Sequence, residues 1–165
     1  MPVRHGLGCF ALKNSMKFRF VWVGKTKNRN YLGLQEEYLR RLSHFVKCEI
    51  VEVKDSAAHE TREIEGNRIV KNLNQSSFVC LLDVAGQSMS SHDLAKEVEK
   101  WQDGPLKEVT FVIGGADGVA VAVAERADIM LSLSFLTFTH EMARVVMLEQ
   151  LYRAYAILKG FPYQK

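Results

Sequence analysis

The stretch "EVTFVIGGADGVAVA", Glu108 to Ala122, decides the fold. The apolar, β-branched run up to Ile113 reads as a buried strand. It stops at Gly114 and Gly115, and Gly118 follows three residues later. A short helix near Val119 to Ala127 is predicted next. Glycine lets main chain approach a ligand closely and adopt positive φ, but the same residues also make a tight strand-to-helix turn with no ligand. Two familiar ligand motifs are excluded. The dinucleotide fingerprint has a different first spacing and sits in an opening β-α-β unit, and a phosphate-binding P-loop needs a Lys-Ser/Thr pair that is missing here.

Outward from this stretch, strands and helices alternate. "KFRFVWVG" (Lys17 to Gly24), "KCEIVEVK" (Lys47 to Lys54) and "FVCLLDVAG" (Phe78 to Gly86) read as strands. "YLGLQEEYLRRLSHF" carries Leu34, Tyr38, Leu42 and Phe45 at helical spacing. "HETREIEGNRIVKNLN" is a polar helix with a thin apolar stripe, and "SSHDLAKEVEKW" opens on a capping signature, Ser90 with Asp93. Beyond the glycines, "MLSLSFLTF" alternates like a further strand. A long helix then runs from about His140 to Leu158, with Thr139 as its N-cap. This order predicts an α/β fold, a mostly parallel sheet with helices on both faces.

The 165 residues suit one domain with a real core. Residues 16–165 read as that domain, and residues 1–15 as a disordered extension without a clear signal-peptide cleavage site. No apolar run approaches the roughly 20 residues of a membrane span, so a cytoplasmic protein without membrane attachment is expected. Cys9, Cys48 and Cys80 are far apart and lack C-x-x-C spacing, which argues for reduced thiols over a disulfide or metal site. The net charge of +3 includes Arg4 and Lys13 of the extension, leaving the folded part near +1. Any site for a polyanion must then be a local patch.

In parallel sheets, ligands bind beyond the carboxyl ends of the strands. Three such ends carry candidate chemistry: "LLDVAG", "VIGGADG" and "LTFTHE". Asp83 there could bind a ribose hydroxyl or simply form a turn. On these ends alone, a nucleotide-binding module, a dehydrogenase-like enzyme and a non-catalytic RNA-binding or ribosome-associated protein all stay open.

The later residues narrow this. "VIGGADG" followed by "LSLSFLTFTHEMARVVMLEQLYRAYAILKGFPYQK" resembles the knotted, SPOUT-class methyltransferases, and more narrowly the ribosomal RNA large subunit methyltransferase H family. In that family a strand ends in I-G-G-x-x-G, and a Leu-Ser-x-(small or apolar)-Thr segment leads through a His into an Arg-bearing helix and a Pro-Tyr-His-basic tail. "FVWVGK" and "EEYLRRL" also fit, so the resemblance runs from Met16 to Lys165.

The resemblance implies a C-terminal trefoil knot whose loops bind S-adenosylmethionine without a metal. It assigns that cofactor to Leu82, Gly114, Gly115, Leu133, Ser134, Phe135, Leu136, Thr137, Phe138 and Thr139. It implies a homodimer that methylates N3 of a pseudouridine in 23S rRNA of the assembled ribosome. His140, Arg144, Tyr163 and Lys165 are the implied catalytic group. Two departures stand out. Gln164 holds the place of the tail His and cannot take a proton, and Thr139 and Glu141 flank His140 where a proline-flanked His is common.

Overall fold

Along Lys17–Val23 (β1), Phe18, Phe20 and Trp22 bury on one side, and Val21 and Val23 on the other. A strand apolar on both faces needs cover on both faces. The computed structural model, which describes residues 16–164, shows that cover. The N-terminal extension and Lys165 lie outside the described residues.

β1 joins Lys47–Val53 (β2), Phe78–Ser88 (β3), Glu108–Ile113 (β4) and Ile129–Ser132 (β5) in one sheet of order β2-β1-β4-β3-β5. Every pair is parallel, so all the carboxyl ends lie along one edge. Arg29–Leu42 (α1), Ser91–Asp103 (α3) and His140–Lys159 (α5) pack on the Phe18–Phe20–Phe111 face. Arg62–Lys71 (α2) and Val121–Arg126 (α4) pack on the Val21–Val112 face. Phe18 meets Phe111 edge-on with ring centroids 5.2 Å apart. Each such fully buried aromatic contributes on the order of 1.5–3 kcal/mol by leaving water.

The helix boundaries follow local signals. Ser90 Oγ accepts from Asp93 N, and Thr139 Oγ1 from Met142 N. Gly160 ends α5 in the left-handed region at φ 70°, where Phe161 N reaches back to Ala156 O.

One predicted element is shorter than expected. The alternation of "MLSLSFLTF" reads as a strand, but β5 stops at Ser132. There Ser132 Oγ donates to Ser134 O, and Leu136 N to Ser134 Oγ, each at 3.0 Å. These local serine bonds turn the backbone where β5, an edge strand paired only with β3, has no second neighbour to hold it straight.

Candidate functional site

β4 delivers the glycine turn to the carboxyl edge of the sheet. Gly115 and Gly118 pair as an isolated antiparallel bridge, and Gly118 sits at φ 80°. A Cβ on Gly114 would fall 2.5 Å from Val119 Cγ1, and one on Gly115 3.3 Å from Glu65 Oε1. The missing side chains therefore make room for Val119 and Glu65, and the turn offers bare main chain.

Beside the turn, β3 makes an excursion. Leu131 of β5 pairs with both Leu82 and Gln87, so Asp83 to Gly86 loop out between them. Gly86 lies so close to β5 that a Cβ there would come within 2.7 Å of Leu131 N. Asp83 Oδ1 accepts from Ala85 N at 2.8 Å, the turn-forming one of its two candidate roles.

The excursion, the glycine turn and the loop leading into α5 enclose one cleft of about 620 Å³, within the range of small-molecule sites. Its walls include Leu82, Gly114, Gly115, Leu133, Ser134, Leu136, Thr137, Phe138 and Thr139, together with Asp83 and His140. Nine of the ten candidate cofactor residues thus meet in one place. The tenth, Phe135, does not line the cleft and is 90% exposed.

Arg144 stands apart from the cleft wall. It is fully buried, with Nη1 donating to Thr26 Oγ1 at 2.9 Å, Nη2 to Val23 O, and the guanidinium 5.0 Å from the Trp22 ring centre. Burial pulls its pKa below the usual arginine value, against the opposing fields of Glu141, Glu52 and Asp55. Glu141 accepts from Lys27 N at 2.8 Å and Asn28 N at 3.1 Å, which hold its carboxyl below the ordinary range. Arg144 and Glu141 together clamp the β1–α1 loop to the start of α5.

Tyr163 is also remote from this chain's cleft. Its hydroxyl donates to Glu149 at 3.1 Å and lies 3.1 Å from the Tyr38 hydroxyl, its ring is edge-on to Tyr152, and Arg153 stacks over it at 4.8 Å. Burial, then the Tyr38 bond and Glu149, push its pKa up. This seat for the tail escaped sequence reading, as did Glu65. A glycine in a helix interior, Gly66, was the available signal for Glu65. A Cβ on Gly66 would fall 2.5 Å from Ala120 Cβ, so α2 packs tightly on the segment just after the turn.

Cys48 and Cys80 are free thiols, both pushed by burial up to about 12. Among the described residues, no group of three or more His, Cys, Asp or Glu is arranged to hold a metal ion, and no helix is long and apolar enough to cross a membrane.

Residues 16–164 match the family described as "Predicted SPOUT methyltransferase", and the chain belongs to that family. Within it, the chain stands with the proteins named ribosomal RNA large subunit methyltransferase H. That of Halothermothrix orenii is 39% identical over 159 residues, that of Desulfotalea psychrophila 39% over 153, and that of Enterococcus faecalis 37% over 159. Each match covers 91% of this chain and the whole of the relative. Among solved structures, a Legionella pneumophila protein described as a methyltransferase with bound SAM aligns at TM-score 0.47 and 14% identity, over 85% of this chain and 67% of that one.

Proposed function

We propose that the protein transfers the methyl group of S-adenosylmethionine to N3 of a pseudouridine in 23S rRNA of the assembled ribosome, acting in the cytoplasm as a homodimer. The observation that carries this reading is the meeting of the glycine turn, the 133–139 loop and His140 in one cleft, in a chain whose full-length relatives bear a large-subunit rRNA methyltransferase name.

The residues fit the donor. Leu82, Leu133 and Leu136 give an apolar slot for adenine, and the glycine turn gives main-chain groups for polar edges. When bound, S-adenosylmethionine supplies an electrophilic methyl group on a sulfonium. In the balanced reaction the N3–H proton leaves, the N3–methyl bond forms and the sulfur–methyl bond breaks. The chain's task is to align the pseudouridine and handle that proton. His140, on the cleft wall at the start of α5, is the group that takes or holds the N3 proton. Arg144 acts by position, through its hold on Val23 O and Thr26.

Tyr163 is seated on α1 and α5 and shares no wall with this chain's cleft. A tail that touches substrate is therefore one reaching a second subunit's cleft, which favours the homodimer. A trefoil knot is part of the same reading. What supports it is the chain's membership of the SPOUT methyltransferase family.

Ribosomes from cells lacking this protein, incubated with it and methyl-labelled S-adenosylmethionine, should gain label in 23S rRNA at one pseudouridine. Naked 23S rRNA should be a far poorer substrate, since a folded charge near +1 cannot hold free RNA tightly. Cofactor binding without transfer would point instead to a non-catalytic ribosome-associated protein.

A further inference from the structure

The carboxylate behind the glycine turn has no role in the reading above. Glu65 of α2 is 8% exposed, and among the described residues the one hydrogen bond to its carboxylate is from Ser56 Oγ to Oε2, at 2.7 Å. Among those residues it forms no salt bridge. Arg68, three residues on in the same helix, is committed to Glu60 at 2.5 Å. Arg68 acts on Glu65 only as a more distant field, and a nearly buried carboxylate with one hydroxyl and no ion-pair contact among the described residues is costly, so that a neutral side chain there would be easier to bury. Its other oxygen, Oε1, lies against Gly115, 3.3 Å from where a Cβ would stand. Gly115 is part of the cleft wall. One layer of main chain therefore separates a carboxylate without an ion-pair contact from the cleft.

We infer that Glu65 is a positioning residue that tunes the cleft for a positively charged ligand, acting through Gly115. This rests on the reading of the cleft as the site of S-adenosylmethionine. The chemical class selected is a sulfonium or similar onium cation, in preference to the neutral thioether left after methyl transfer. The carboxylate reaches no reacting atom. Its field favours the donor before transfer and is indifferent to the product, which helps the product leave. The arrangement also explains Gly115, since any side chain there would press on the carboxylate. It explains Gly66 as well, because close packing of α2 on Ala120 holds Glu65 against the turn.

The test is the ratio of affinities for two ligands that differ in the charge on one sulfur. Calorimetry with S-adenosylmethionine and S-adenosylhomocysteine should be run on the wild-type chain and on Glu65→Gln, with thermal melts to confirm folding. The variant should weaken the sulfonium ligand by about tenfold relative to the thioether, the order expected for one charge–charge interaction lost in a partly buried site. A purely structural role would shift both affinities by the same factor, and that result would overturn the inference, as would no change in either. Should Glu65→Gln fail to fold, Glu65→Ala, which also removes the charge, decides by the same ratio. A selective loss of the sulfonium ligand supports the inference, and an equal change in both overturns it. If the wild-type chain binds neither ligand, the reading of the cleft itself fails, an outcome distinct from either variant result.

Discussion

Two carboxylates, one at each edge of the sheet, are buried to nearly the same degree and are treated in opposite ways. At the amino edge Glu108 is 6% exposed. It accepts from Asn74 Nδ2 on both oxygens at 2.9 Å and from Thr110 Oγ1 at 3.0 Å, and it pairs with Lys17 at 3.0 Å. Around it, Arg126 donates to the carbonyls of Asn74, Gln75 and Ser77, and Asp128 accepts from Val79 N. Arg19 Nε lacks a hydrogen bond there, with Glu49 3.5 Å away, and the Tyr155 hydroxyl, whose ring packs on Phe18 and Phe45, is also buried without a partner. At the carboxyl edge Glu65 has Ser56 alone, and Arg144 Nε and Trp22 Nε1 are buried without partners. Saturated polar networks hold a fold in one state. Unsaturated ones cost stability and mark places kept for another purpose. On the contrast between the two carboxylates, rather than on the unpartnered nitrogens and hydroxyl found toward both edges, the amino edge is the stabilising end of the sheet and the carboxyl edge the working end.

The largest effect is expected from the tail. Deleting residues 163–165 should abolish methylation of ribosomes while cofactor affinity, read by calorimetry, changes less than about threefold, because Tyr163 lines no part of this chain's cleft. Loss of cofactor binding would mean that the tail belongs to the donor site. His140→Ala comes next, with single-turnover methylation reduced by roughly a hundredfold or more, the usual scale for a proton-handling group, and cofactor affinity kept. A rate within a few-fold of wild type would remove His140 from the chemistry.

The two carboxylates give the sharpest contrast in stability. Glu108→Ala strands the Asn74 amide and takes one partner from Lys17, which keeps Glu49, and from Thr110, which keeps Ser77, and should cost about 1–3 kcal/mol in urea unfolding. Glu65→Gln should cost nothing, or raise the melting temperature, since it removes a buried charge without an ion-pair contact and keeps an acceptor for Ser56. The pH dependence follows from Glu108. Burial works to raise its pKa, but the bonds from Lys17, Thr110, Asn74 and Ser77 outweigh it and hold it below 4.5. Its folded pKa is depressed, so its contribution is complete above about pH 4.5–5 and is lost as the pH falls through the folded value. Glu108→Ala should flatten that acid limb. An unchanged limb would show that the network does not set acid stability. The smallest effect belongs to Cys80, whose thiol burial pushes up to about 12. In the native protein at pH 8 it should resist alkylating reagents in a site-resolved mass measurement, and rapid labelling would show that the core opens.

How much of this was legible in the sequence follows from how local each signal is. β1, β4 and the caps at Ser90 and Thr139 stand where their residues predict, because alternation and capping act within a few positions. The segment after Ser132 was misread, since Leu-Ser alternation looks like a strand until the serine hydroxyls are seen to bond locally. The spacing of His140 and Arg144 placed both on one helix face, but not which neighbour each would meet. Trp22 and Val23 of β1 claim the arginine, whereas the cleft claims the histidine. Glu65 was illegible because its meaning depends on α2 lying against a turn some 50 residues later in the chain.

The most direct test of the two-edge account is hydrogen exchange of the full chain with and without S-adenosylmethionine. The account predicts slower exchange at residues 83–87, 114–119 and 133–140 at the carboxyl edge, and no change at 74–78 or 104–108 at the amino edge. Protection confined to the amino edge, or none anywhere at saturating ligand, would contradict it.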